Sequence, residues 1–147
     1  MHLKTTNTLD TFTYNLPSCP TQISALEKFI SEVTCNCSFS KSKYADILVS
    51  ITEAVNNAII HGNNKDKTKF VKISFTHNND KLTFVISDEG NGFDPNELED
   101  PTSPERIAEC GGRGVFIMKQ LCDHLAYHDN GRSVTMEFLL ASNYPNH

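Results

Sequence analysis

The chain has 147 residues, of which 38% are apolar and 21% charged, a composition typical of one globular domain with its own hydrophobic core. Its net charge of −5 argues against direct nucleic-acid binding, which usually requires a basic patch. No apolar run approaches the roughly 20 residues that span a bilayer, and residues 1–10 lack the apolar segment of a secretion signal. We therefore expect a cytoplasmic protein with no membrane and no nucleic-acid partner.

The five cysteines do not form a paired pattern. An odd number argues against a complete disulfide framework, and a cytoplasmic protein keeps its thiols reduced. Cys35 and Cys37 could supply two zinc ligands, but no second pair completes the set of four. We therefore expect ordinary thiols rather than a zinc site.

The first half of the chain predicts one strand and two helices. Residues 8–16 alternate polar and apolar side chains as a strand does, and Pro17 ends it. Residues 21–33 and 40–60 place apolar side chains at helical spacing, which indicates one short and one long helix. Residues 61–64, His-Gly-Asn-Asn, predict the end of the long helix.

The second half predicts four more strands and a third helix. The strands are residues 70–76, 81–88, about 125–129 and 132–140. Residues 78–80 are a hairpin turn, and the polar, proline-containing segment 93–110 is a long loop of the kind that is usually functional or mobile. The helix is expected at residues 114–123.

These elements together predict an α+β two-layer sandwich. Its sheet is expected to be mixed but mostly antiparallel, with the helices packed on one face. We place the domain at residues 8–141, with short terminal tails at residues 1–7 and 142–147.

The long helix carries the first of three segments with chemical potential. Glu53 and Asn57 are four residues apart and therefore project from one face, offset from the apolar stripe. Such a pair is either a solvated helix face or a general base beside a metal ligand. An amide oxygen suits Mg²⁺ beside phosphates because it adds no negative charge.

The second segment, residues 88–93, follows a predicted strand. Strand alternation places Asp88 in the core-facing row, where a carboxylate needs hydrogen-bond donors. An internal partner within an acidic turn or the exocyclic amine of adenine could be that donor. Gly90 and Gly92 would let a planar ring approach the backbone. A calcium loop is disfavoured, because Phe93 stands where such a loop requires glycine.

The third segment, residues 111–114, reads Gly-Gly-Arg-Gly and leads into the third helix. Glycines at a helix start leave N–H groups and the positive end of the helix dipole accessible to phosphates. Alone this signal is weak, since glycine-rich helix entries are common. The GK[ST] ending of a Walker loop is absent, and Gly90-x-Gly92 lacks the third glycine and the following helix of a dinucleotide-binding unit.

In this order and spacing, the three segments resemble the N, G1 and G2 boxes of the GHKL ATPase superfamily, which includes gyrase, heat-shock chaperone, histidine-kinase and mismatch-repair ATPases. Within it they look most like the anti-sigma-factor serine/threonine kinases. The motifs that carry the likeness are residues 53–62 (EAVNNAIIHG), 88–95 (DEGNGFDP) and 112–118 (GRGVFIM). The likeness extends from about residue 8 to residue 140.

The resemblance implies a role for each matching residue, with ATP and Mg²⁺ as cofactors. Glu53 would be the catalytic base, Asn57 the Mg²⁺ ligand and Asp88 the partner of the adenine amine. Residues 93–111 would be a lid over the nucleotide. The other nucleotide-binding positions implied are Gly90, Gly92, Gly112, Arg113 and Gly114.

Two positions need separate comment. His61 belongs to the family pattern, but its place two turns beyond Glu53 favours a structural role at the helix end over a role as base. The family commonly has a threonine in the last strand, whose hydroxyl supports the adenine site, and here Arg132 stands in its place. Ser133 and Thr135 are the candidates to replace that hydroxyl.

The resemblance also implies an activity and partners. The protein would be an ATP- and Mg²⁺-dependent protein serine/threonine kinase whose substrate is a small anti-anti-sigma (antagonist) protein. The unphosphorylated antagonist would displace a sigma factor or another regulatory target from the kinase. The sequence does not decide whether the protein forms a homodimer. The alternatives are a nucleotide-dependent sequestering module without kinase turnover and a domain whose glycines only serve turns. A sensor histidine kinase is disfavoured, because 147 residues leave no room for its phosphoacceptor helices.

Overall fold

The computed structural model describes residues 10–78, 80–90 and 112–140, and of residues 10 and 112–114 it describes the backbone alone. These ranges contain five strands and three α-helices. In chain order they are β1 (Asp10–Pro17), α1 (Ile23–Val33), α2 (Lys41–Asn57), β2 (Phe70–His77), β3 (Lys81–Ser87), α3 (Gly112–Leu121), β4 (His124–His128) and β5 (Ser133–Leu139).

The two helices of the first half begin and end close to where their sequence predicts. A short 3₁₀ turn, Pro20–Gln22, precedes α1. The Ser40 hydroxyl caps α2 by accepting a hydrogen bond from the Lys43 amide at 3.0 Å. At its other end, α2 continues into a single π-helical turn, Ala58–Gly62.

The sheet has the strand order β1-β2-β3-β5-β4, and all four of these pairings are antiparallel. The predicted hairpin between β2 and β3 is confirmed, and Asn78 Oδ1 accepts hydrogen bonds from the amides of Asp80 and Lys81 at 2.8 and 2.9 Å. Strand β5 lies between β3 and β4, so the segment that contains α3 joins two strands that are not neighbours in the sheet.

The hydrophobic core lies between the helices and one face of the sheet. Phe75, Phe84 and Phe138 come from three neighbouring strands and are fully buried, with ring centroids 4.9 Å apart for the first pair and 6.2 Å for the second. Each such ring stabilises the fold by roughly 1.5–3 kcal/mol through its burial. Tyr14 stacks on Phe29 of α1 at 5.3 Å. The two-layer sandwich predicted from the sequence is thereby confirmed.

Helices α2 and α3 pack against each other. Lys43, in the first turn of α2, forms a salt bridge of 3.1 Å with Asp123, which follows α3. The same Asp123 oxygen accepts the Leu139 amide of β5 at 2.7 Å. The start of α2 is therefore joined to the end of α3, which places the first turn of α3 toward the other end of α2.

The structure also gives the state of the cysteines, and it tests for metal-binding clusters and membrane-spanning helices among the described residues. Cys19, Cys35 and Cys122 are free thiols, and burial raises the pKa of Cys122 to about 11. Within the described ranges, no three His, Cys, Asp or Glu side chains come together as a metal site would require. The helices in the described part of the chain are all too short or too polar to cross a membrane. Cys110 lies outside the described residues.

Candidate functional site

The end of α2 carries Glu53 and Asn57, both partly exposed. The buried positions between them, Ala54 and Val55, face the core, so the two polar side chains lie beside the apolar stripe. Asn57 is the last residue of α2, directly before the π-helical turn. His61, inside that turn, is exposed. The roles of Glu53 as base and Asn57 as Mg²⁺ ligand stay predictions.

Asp88 directly follows β3 and is partly buried. Its amide continues the ladder by donating to the Arg132 carbonyl at 2.9 Å, and its Oδ1 accepts the Gly90 amide at 2.8 Å. Burial raises the pKa of Asp88, and the Gly90 hydrogen bond and the positive charge of Arg132 oppose that rise. The carboxyl is therefore partly desolvated, and the Gly90 amide holds one of its oxygens.

Two glycines meet at this carboxylate. A Cβ atom on Gly62 would overlap the carboxylate of Asp88, and a Cβ atom on Gly90 would overlap the carbonyl oxygen of Gly62. The end of α2 and the turn after β3 are thus in backbone contact, with no side chain between them. This contact places Asp88 on the helix side of the sheet, as strand alternation predicted.

Two participants in this corner were missed by the sequence analysis. Gly62 was assigned to the helix stop and to the motif of residues 53–62, without a contact to Asp88, and Asn63 was assigned to the helix stop alone. Asn63 is in fact fully buried and accepts the Glu89 amide at 2.7 Å. A buried asparagine leaves no periodic signal in a sequence, so only the fold shows it.

Gly112, Arg113 and Gly114 form the first turn of α3, which begins two residues before the predicted start. The first four amides of a helix have no acceptor within it, and the dipole makes this end positive. Because the end of α3 is joined to the start of α2, the first turn of α3 lies toward the half of α2 that carries Glu53 and Asn57. The side chain of Arg113, Gly92 and the predicted lid, residues 93–111, lie outside the described residues.

Ser133 and Thr135 lie on the opposite face of the sheet from Asp88. Val134 between them is buried in the core, so its two neighbours point away from the helices. The Ser133 hydroxyl lies 2.8 Å from the Ser87 hydroxyl, and the Thr135 hydroxyl lies 2.9 Å from His128 Nε2. The structure therefore brings Asp88, Gly62 and Gly90 together and separates both candidate hydroxyls from them.

Arg132, at the family's threonine position, lies in the tight turn between β4 and β5. Its guanidinium pairs with Asp129 at 3.1 Å, and its backbone carbonyl accepts the Asp88 amide. Asp129, Asn130 and Gly131 all have positive φ, at 52°, 55° and 83°. The turn thus places an arginine backbone, rather than a hydroxyl, beside Asp88.

Comparison with known proteins agrees with this architecture. Residues 16–138 match the Histidine kinase-like ATPase domain family. A serine-protein kinase RsbW from Bacillus licheniformis is 28% identical over 82% of this chain and 79% of its own length. The Listeria innocua RsbW is 27% identical over 86% and 85%, and that of Bacillus subtilis strain 168 is 25% identical over 88% and 86%. Since the matched segment covers most of the 147 residues, the chain belongs to the Histidine kinase-like ATPase domain family.

Proposed function

We propose that this protein is an ATP- and Mg²⁺-dependent serine/threonine kinase that phosphorylates a small antagonist protein and acts as an anti-sigma or partner-switching regulator. The observation that carries the proposal is the corner in which Asp88 is held against the end of α2 by Gly62 and Gly90. Proteins named serine-protein kinase RsbW match most of the chain and support the choice of a protein hydroxyl as acceptor.

Asp88 is proposed to bind adenine. A partly buried carboxylate favours a hydrogen-bond donor, and the exocyclic amine of adenine is one. The Gly90 amide fixes one carboxylate oxygen, which orients the other. The absence of a Cβ at Gly90 lets the end of α2 pack directly against the turn that carries Asp88.

The phosphates are proposed to lie at the first turn of α3. The amides of residues 112–114 lack helical acceptors, so they can donate to phosphate oxygens. Asn57 would hold Mg²⁺ through its amide oxygen, and the ion would neutralise charge on the phosphates. The chemistry of an amide oxygen fits a hard cation, and its position at the end of α2 fits a site facing α3.

Glu53 is proposed to orient the acceptor hydroxyl of the antagonist and to take its proton. It lies one helical turn before Asn57, so the base and the metal ligand share one face of α2. Catalysis then consists mainly of positioning and charge neutralisation, as in other phosphoryl transfers. Phosphorylation would add negative charge to the antagonist and weaken its hold on the kinase, which would release the kinase for its sigma factor or other target.

Phosphotransfer from labelled ATP to a cognate antagonist tests this proposal. Wild-type protein should label the antagonist. Glu53→Ala should bind ATP with near wild-type affinity and lose ~10²-fold or more in phosphotransfer rate, the usual contribution of a general base. Glu27→Ala, which removes an exposed glutamate of α1, is the matched control and should behave as wild type.

The outcomes separate the competing functions. Equal turnover in Glu53→Ala and wild type would remove Glu53 from its role. ATP binding without any labelling by wild type would leave a nucleotide-dependent sequestering module instead of a kinase.

A further inference from the structure

Asn63 is a fully buried polar residue to which the proposed mechanism gives no role. It follows the π-helical turn of α2, and its side-chain amide makes three hydrogen bonds. Nδ2 donates to the Ser18 hydroxyl at 2.7 Å and to the Phe70 carbonyl at 3.1 Å. Oδ1 accepts the Glu89 amide at 2.7 Å.

The partners of this amide allow only one orientation. The Phe70 carbonyl can only accept and the Glu89 amide can only donate, so Nδ2 must face the first and Oδ1 the second. An aspartate here would lack both donors, and an apolar residue would satisfy none of the three partners. The position therefore selects asparagine for its paired donor and acceptor chemistry.

The bond to Glu89 fixes the turn that carries Asp88 and Gly90, since Glu89 stands between them. The same glutamate is held on its other side, because its Oε2 accepts the Phe70 amide at 2.6 Å. Asn63 itself is covalently joined to Gly62, whose backbone touches both Asp88 and Gly90. The turn after β3 is thus clamped to the end of α2 by one amide side chain and one glycine contact.

We propose that Asn63 is a positioning residue for nucleotide recognition. It touches neither nucleotide nor substrate; it holds the Asp88 carboxylate at a fixed place relative to the helix that carries Glu53 and Asn57. This inference rests on the proposed function in one respect, that Asp88 binds adenine. Its structural part, the clamp on the Asp88 turn, can be measured without nucleotide.

The test compares Asn63→Ala with Ser50→Ala. Ser50 is also fully buried and lies on α2, where its hydroxyl donates to the Asp46 carbonyl at 2.7 Å, so each variant removes buried hydrogen bonding from the same part of the fold. In Asn63→Ala the affinity for ATP should fall at least ~10-fold, and the preference for ATP over GTP should fall about fivefold or more, as expected when a polar contact is mispositioned. Ser50→Ala should change neither by more than about twofold.

GTP is the informative competitor because it presents a carbonyl where ATP presents an amine. A misplaced Asp88 discriminates poorly between the two, whereas a merely weakened fold reduces binding of both alike. Equal loss of ATP and GTP affinity in Asn63→Ala would overturn the positioning role, and so would wild-type affinity for both.

A second measurement, amide hydrogen exchange in the nucleotide-free protein, tests the clamp on the Asp88 turn directly. The Glu89 and Gly90 amides should exchange at least ~10-fold faster in Asn63→Ala than in wild type, and at wild-type rates in Ser50→Ala. Unchanged exchange would refute the clamp even if wild type binds ATP. Faster exchange in a protein that binds no ATP would support the clamp and refute the proposed function, so the two failures are distinguishable.

If Asn63→Ala does not fold, Ser18→Ala carries the same test. It removes the hydroxyl that holds one donor of the Asn63 amide and leaves the rest of the network in place. We expect faster exchange of the Glu89 amide and a loss of ATP preference of about two- to threefold. Wild-type values for both would overturn the inference.

Discussion

Burial of the Asp88 carboxyl affects folding stability, and the same group is the proposed partner of adenine. Burial raises its pKa, so the folded state binds this proton more tightly than the unfolded chain does. The contribution of Asp88 to folding is therefore most favourable at acid pH, and it declines as the pH rises through the unfolded and then the folded pKa. Above the folded pKa, the cost of burying the charge is complete.

Replacing this carboxylate should separate the two effects. In Asp88→Asn the Gly90 amide holds the side-chain oxygen, which leaves an amino group facing the adenine amine, so ATP affinity should fall at least ~10-fold. Without nucleotide, the melting temperature at pH 7 should exceed that of wild type, and the difference should shrink toward pH 4. Calorimetry at several pH values with ATP titration checks both. A variant that melts below wild type at pH 7 would contradict the argument.

Gly62 is tested most sharply by a double-mutant cycle. A methyl group at this position would overlap the Asp88 carboxylate, so Gly62→Ala should cost about 1–3 kcal/mol of stability through overpacking. In the background of Asp88→Ala the same substitution should cost less, because the overlapping atoms are gone. Denaturant unfolding of the four proteins gives the coupling energy. Additive costs would show that the overlap does not govern this position.

At the scale of elements, the sequence predicted the strands and helices because their signals are local. Alternation located β2 and β3 within a residue or two, and the helical spacing located α2. The start of α3 was placed two residues late, since glycines have low helix propensity and were assigned to the preceding loop. In the structure these residues form the first turn of α3, and α3 packs against α2.

The contacts within the candidate site were harder to predict than the strands and helices that carry it. Period-two alternation correctly placed Asp88 on the helix side, and the same rule applied to β5 would have excluded Ser133 and Thr135 from that side. The contact between Gly62 and Gly90, however, joins segments that are distant in the chain. No local pattern encodes it, and the same is true of the bonds that Asn63 makes.

The N-cap of α2 provides a prediction at this scale. Ser40→Ala removes the hydroxyl that accepts the Lys43 amide and should lower the free energy of unfolding by ~1 kcal/mol. Ser42→Ala, at an exposed position in the first turn of the same helix, is the control and should change stability by less than about 0.5 kcal/mol. Equal losses in the two variants would mean that the cap contributes nothing specific.

At the scale of the whole molecule, the candidate site exists only when the two halves of the chain fold together. Helix α2 comes from the first half, and β3 and α3 come from the second. ATP bound there would hold three elements at once, so nucleotide binding should stabilise the entire domain and not one segment. Thermal unfolding should accordingly remain a single transition.

This gives a prediction for ligand and metal dependence. At 100 times its dissociation constant, ATP with Mg²⁺ should add about 2.7 kcal/mol and raise the melting temperature by ~5–10 °C. Chelation of the metal should reduce that shift. Asn57→Ala should show the reduced shift whether or not Mg²⁺ is present, whereas Asn56→Ala, the neighbouring asparagine, should respond as wild type does. A full Mg²⁺-dependent shift in Asn57→Ala would exclude that residue as the ligand.

The carbonyl oxygen of Gly62 occupies the space that a side chain at position 90 would need. The end of α2 and the turn after β3 therefore constrain each other's side chains at positions 62 and 90. A side chain at position 90 would require the end of α2 to move, and that movement would shift the part of the helix that carries Asn57. A side chain at position 90 should therefore be harder to accommodate than one on the outer face of the sheet, where Ser133 and Thr135 point away from the helices.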